Sequence, residues 1–150
     1  MDFPHVYLLV LTVLGVYMAA ISLMTTQVSY PLYAAVPHAA FIDYHERYNR
    51  RITPVIVAPG LPGFIACIAF AFLRPGTVPA WLALLVAAGG LVALLATVTA
   101  AIPSHLRLRA EGFADRPYRT LRTADAIRTL ACLLSAGALI AALLNAFGPR

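Results

Sequence analysis

The sequence predicts an all-α integral membrane protein: a four-helix bundle with a kinked second helix and an amphipathic extension leading into that helix. Three observations carry the prediction. Of the 150 residues, 61% are hydrophobic and 11% charged, well below the roughly one quarter charged residues of soluble domains. The hydrophobic residues gather in four blocks, about 6–26, 52–73, 81–102 and 124–147, each near the roughly 20 residues that cross a hydrocarbon core as a helix. Polar residues inside these blocks recur at spacings of three and four, the period of a helix rather than a strand. The blocks make one four-span domain over residues 1–150, with no internal repeat, low-complexity tract or linker and with loops that run long, short, long.

The first block lacks a basic region before it and a small-residue cleavage site after it, so it reads as a retained span and not as a signal peptide. Within it Ser22, Thr25, Thr26 and Ser29 form one helical stripe, continued by Tyr33. Pro31 and Pro37 then predict an irregular turn over 27–37. From His38 onward His38, Phe41, Tyr44, His45, Tyr48 and Ile52 share one helical face, while Asp43, Glu46, Arg47, Arg50 and Arg51 share the other. Asp43 with Arg47 and Glu46 with Arg50 are spaced as i,i+4 ion pairs. The second span carries Pro54, Pro59 and Pro62, and interior prolines free carbonyls that must find partners inside the bundle. The third span ends in Thr97, Ser104 and His105, and the fourth begins with Asp125, Arg128, Thr129, Cys132 and Ser135 on one face.

The formal charge of +5 comes from arginine alone, since the chain has no lysine. Arg47, Arg50 and Arg51 lie between the first and second spans, and Arg107, Arg109, Arg116, Arg119 and Arg122 between the third and fourth. The other side holds Arg74 and Arg150. The positive-inside rule then puts both long loops in the cytoplasm and both termini outside. The same rule accounts for the basic balance without nucleic acid as a partner. Cys67 and Cys132 sit inside spans, where small buried side chains are the ordinary role of cysteine.

Four polar stripes thus converge on one half of the bundle. An ionisable residue at membrane depth points to a site, and the residues so marked are His45, His105, Asp125 and Arg128 as candidate catalytic groups. His38, Tyr44, Tyr48, Thr26 and Ser29 are candidate ligand contacts. No established catalytic or metal-binding motif is present. The nearest set for haem or a metal is His38, His45, His105 and Asp125, which lacks a diagnostic spacing, and no cofactor and no metal ligand are assigned.

Tyr30-Pro31, Phe41-x-x-Tyr44-His45, Arg51-Ile52, the prolines around Pro59, Pro103-x-His105, Gly112-Phe113 and Ile127-Arg128-Thr129 together resemble the anthrone-oxygenase-like family of small bacterial four-span membrane proteins. The resemblance implies oxidation of lipophilic aromatic substrates without a bound metal, with His45, His105 and Arg128 at recurrent positions and Asp125 where a polar amide is common. The sequence departs from the pattern at Tyr48, where a second histidine is expected, at Gly63, where a carboxylate often follows the prolines, and at Ala126, where tryptophan is usual.

Three functions fit the residues. One is a membrane component that binds a lipid or hydrophobic small molecule, or serves as a subunit or assembly factor of a larger complex. Another is a cofactor-free membrane oxygenase in which His45 or His105 acts as base, Arg128 stabilises the oxyanion and Asp125 orients a histidine. The third is a transporter, for which four spans require a homo-oligomer.

Overall fold

The computed structural model describes residues 2–148. Four helices, each long and apolar enough to cross a membrane, make up nearly all of it: α1 (Phe3–Tyr33), α2 (His38–Leu73), α3 (Ala80–Glu111) and α4 (Asp115–Phe147). They run up, down, up and down in a ring, α1 packing on α2 and α4, and α3 packing on α2 and α4. Among the described residues there is no strand. Arg150, counted above on the arginine-poor side, lies outside the described residues.

The surface is what lipid requires. Val13, Leu84, Leu130 and Phe72 point outward, whereas Ser22, Thr25, His45, Thr97, Asp125, Arg128 and Thr129 are buried. Three apolar clusters fill the ring, and the one at the arginine-rich end is built on Tyr30, Tyr33, Phe41, Leu108 and Leu121.

The helices run further than the hydrophobic blocks. The expected irregular segment 27–37 is helical through Tyr33, by way of a π-helical turn at Thr25–Ser29, and the chain turns only over 34–37. A second π-helical turn, Thr97–Ala101, occupies the same place in α3. Each is followed by one residue and then a proline, Pro31 or Pro103. A proline inside a helix clashes with the carbonyl four residues back, and the wider π-turn moves that carbonyl aside.

Pro54, Pro59 and Pro62 all lie within continuous helix. Pro59 leaves the Val55 carbonyl without its helical donor, and the Tyr17 hydroxyl of α1 donates to that carbonyl at 2.9 Å. The α3–α4 connection turns on Gly112, whose φ of 82° is the left-handed conformation that favours glycine.

The amphipathic start of α2 buries Phe41 and His45 as expected, but His38 falls in a 3₁₀ turn (His38–Ala40) and is exposed. Asp43 pairs with Arg47 at 3.0 Å. Glu46 does not pair with Arg50: it takes Arg109 of α3 at 2.9 Å, because the ring of helices brings that guanidinium across the groove.

Helices α2 and α3 approach closely at Gly90, where a Cβ would lie 2.8 Å from the Phe64 carbonyl oxygen and 2.5 Å from the Cys67 Cβ. Gly137, by contrast, faces open space. Gly90→Val should therefore destabilise the bundle by about 1–3 kcal/mol through overpacking, and Gly137→Val should stay within about 0.5 kcal/mol. Unfolding midpoints in mixed detergent and dodecyl sulfate micelles measure both, and equal effects would refute the close approach.

Candidate functional site

The site is built on the one buried ion pair among the described residues. Asp125 and Arg128 lie one turn apart on α4, 0% and 4% exposed, and the Arg128 Nη2 donates to Asp125 Oδ1. In a low-dielectric interior such a pair stands only if the remaining acceptors are filled. The π-turn of α1 fills them: the Thr25 hydroxyl lies 3.1 Å from Oδ1 and the Thr26 hydroxyl 2.6 Å from Oδ2. Thr26 also meets the Thr129 hydroxyl at 2.7 Å, and the Thr25, Thr26 and Thr129 hydroxyls gather on the Ser22 carbonyl. Asp125 is thus fully engaged with α1 and Arg128. It orients no histidine, in contrast to the role expected of it.

The histidines form a separate hydrogen-bonded chain. Asn49 Nδ2 lies 3.2 Å from His45 Nδ1 and 3.3 Å from His45 Nε2, His45 Nε2 lies 3.0 Å from His105 Nδ1, and His105 Nε2 lies 3.1 Å from the Tyr30 hydroxyl. His45 is 0% exposed, stacked between Phe41 and His105 with Tyr33 edge-on to it. Both nitrogens of each imidazole are therefore occupied.

These two clusters meet at a cavity of about 170 Å³ between α2 and α3. Its inner wall carries Tyr30, Thr97, His105 and Arg128, and Asn49 closes one end. Towards the outside it is bounded by Val57, Ile102 and Leu106, of which Ile102 and Leu106 are exposed. A dry cavity of about 150 Å³ accommodates a benzene ring, so this one has room for a single aromatic ring. Arg128 lines this space, while its Nε is buried and has no hydrogen-bond partner among the described residues.

Of the expected catalytic residues, His105 and Arg128 line the cavity, with His45 and Asp125 directly behind them. The expected ligand contacts do not line it. His38 is exposed and edge-on to Phe113. Tyr44 and Tyr48 pack against Tyr33, Ser29 donates to the Met24 sulfur, and Thr26 is spent on Asp125. The set His38, His45, His105 and Asp125 is not gathered at one point, and no group of three His, Cys, Asp or Glu side chains comes together among the described residues.

Sequence reasoning assigned no site role to Tyr30, Asn49 or Thr97. Asn49 carried a usable signal, since it follows His45 by four residues and so shares its helical face. Tyr30 stood in the Tyr30-Pro31 motif but was not read as a site residue.

Asp125→Asn removes the counter-charge of a buried guanidinium and should cost about 3–5 kcal/mol. Glu46→Gln breaks an exposed pair and should cost at most about 1 kcal/mol. The same micelle unfolding assay separates the two, and equal tolerance would remove Asp125 from its central place. Comparison with models of protein families, with curated proteins and with solved structures finds no match to this chain.

Proposed function

We propose that this chain is a multi-pass protein of the bacterial inner membrane that binds a lipophilic small molecule in the cavity between α2 and α3, reached sideways from the bilayer. One observation carries the reading: the cavity has a polar inner wall of Tyr30, Thr97, His105 and Arg128 and an apolar rim of Val57, Ile102 and Leu106. A polar wall behind a lipid-facing rim suits a molecule that dissolves in the membrane and carries an oxygen function at one end. The Arg128 side chain and the Tyr30 hydroxyl would receive that oxygen.

The arginine asymmetry supports an orientation with the 34–37 and 112–114 turns in the cytoplasm and both termini outside. A reporter active only in the cytoplasm, fused after Arg150, should give no signal, and a strong signal would reverse the topology.

A second reading is favoured by the hydrogen-bond chain from Tyr30 to His45. The resemblance to the anthrone-oxygenase-like family implies deprotonation of an acidic ring position followed by direct reaction with dioxygen. Both nitrogens of His105 are engaged, so in this reading the Tyr30 oxygen accepts the substrate proton as its own passes to His105 Nε2. Arg128 then faces the oxyanion.

The binding reading is tested with a small photoreactive probe, trifluoromethyl-phenyldiazirine, in proteoliposomes. Insertion into the buried residues Ile56, Thr97 or Ala101 is expected, and Ala101→Leu should abolish it while labelling of the exposed Leu95 and Val98 persists. Labelling confined to exposed positions would overturn the reading.

A further inference from the structure

A separate groove of about 560 Å³ runs along the outside of the bundle on another side of the ring, between α3 and α4. Its apolar part has a floor of small side chains, Ala96, Ala100 and Ala124, between the exposed rims Val92, Leu95 and Ile127. Its polar lining is Thr99 of α3 with Arg119, Thr120 and Thr123 of α4.

Arg119 and Thr120 also border a neighbouring space of about 380 Å³, whose other walls are Asp115 and Arg116. The two spaces therefore make one continuous surface that is apolar towards the middle of the bundle and basic towards its arginine-rich end. The ion pairs among the described residues are made by His5, Arg47, Arg109 and Arg128, so the exposed guanidinium groups of Arg116 and Arg119 are unpaired. Set against the one carboxylate of Asp115, they leave this end of the groove with a net positive charge.

We propose that the groove holds an anionic phospholipid, its phosphodiester at Arg116 and Arg119 and the first part of an acyl chain laid over Ala100, Ala124 and Ala96. This site is independent of the α2–α3 cavity, and it does not depend on which leaflet the arginine-rich end occupies.

The dimensions agree with a lipid lying along the bundle. Ile127 is eight residues beyond Arg119, which is about 12 Å along a helix. The headgroup layer on each side of a bilayer is about 5–8 Å deep. A groove that starts at the phosphate and has that length therefore runs on into the hydrocarbon.

The hydrogen-bonding groups agree as well. The Thr99 and Thr120 hydroxyls donate to the Leu95 and Arg116 carbonyls of their own helices, at 2.7 and 3.0 Å, and so offer only lone pairs to the groove. The donors for a phosphate oxygen are the Arg119 guanidinium and the Thr123 hydroxyl. A glycerol headgroup brings both kinds of partner, oxygens for the arginine and hydroxyls for the threonines.

Charge selects this occupant over two others. A second copy packed through the same face, about a two-fold axis along the membrane normal, would set its own arginines against these, and like charges across an interface repel. A soluble anion would meet Arg116 and Arg119 but has no use for the apolar groove beside them.

The test uses the full chain in phosphatidylcholine proteoliposomes that contain a trace of phosphatidylglycerol carrying a diazirine in one acyl chain, with the labelled positions mapped by mass spectrometry. Labelling should concentrate at Leu95, Ala96 and Ile127 over Val28 and Leu32, which are exposed on α1 near the same end of the bundle. A phosphatidylcholine probe with the same diazirine should label the groove at least about tenfold less. Arg116→Gln and Arg119→Gln, both at exposed positions, should each reduce groove labelling by the phosphatidylglycerol probe about fivefold and leave that of Val28 and Leu32 unchanged.

Equal labelling of the groove and of α1, or equal labelling by the two probes, overturns the proposal. So does a preference for phosphatidylglycerol that survives the loss of both arginines. A groove that neither probe reaches is covered by protein, which overturns it too.

Discussion

A carboxylate and a guanidinium enclosed among helices whose outer faces are apolar set the terms for the rest of this structure. Water is excluded from both, so Asp125 and Arg128 need every remaining donor and acceptor supplied by protein. Thr25 and Thr26 are consecutive residues, which on a regular helix diverge by about 100°. The π-turn lets both reach the same carboxylate. The polar stripe of α1, the start of α4 and the widened turn are therefore parts of one arrangement, and its product is an arginine held at the wall of a cavity.

The second constraint is the satisfaction of backbone groups in a solvent that offers no hydrogen bonds. α2 keeps three prolines without breaking, and the Tyr17 hydroxyl crosses from α1 to serve the Val55 carbonyl freed by Pro59. Pro59 is tolerated here because a neighbouring helix supplies the missing donor. Tyr7 makes a similar crossing to the Ala66 carbonyl further along. The two tyrosines thereby fasten α1 to α2 with polar bonds in the part of the bundle where side-chain packing is otherwise apolar.

Much of this architecture was legible in the sequence, because four hydrophobic blocks and the period of their polar residues follow directly from the thickness and polarity of a membrane. The inward face of Phe41 and His45 was legible for the same reason. His38 was assigned to that face by period alone, but Pro37 and the 3₁₀ turn shift its phase out of the stripe. The pairing of Glu46 with Arg109 could not be read, since i,i+4 spacing knows only one helix while the competing arginine comes from another. Asp125 and Arg128 were singled out by their cost at membrane depth. Their threonine partners were seen as a stripe, though nothing in spacing revealed that two adjacent threonines would serve one carboxylate. The amphipathic extension of α2 was legible from its period, whereas the helical turns beyond the other hydrophobic blocks were missed because charged and proline-containing turns look like loops to a hydropathy argument.

The two π-turns have a consequence for how the side chains beyond them are aligned. Each accommodates one more residue than a regular helical turn, so it rotates all that follows relative to all that precedes. In α1 and α3 the bulges divide the bundle into two storeys: an apolar storey whose phase is set by helix packing, and a polar storey whose phase is set by the cavity and the arginine-rich end. Tyr30 and His105, each just past a bulge, owe to that added rotation the bearing by which hydroxyl and imidazole meet across the bundle.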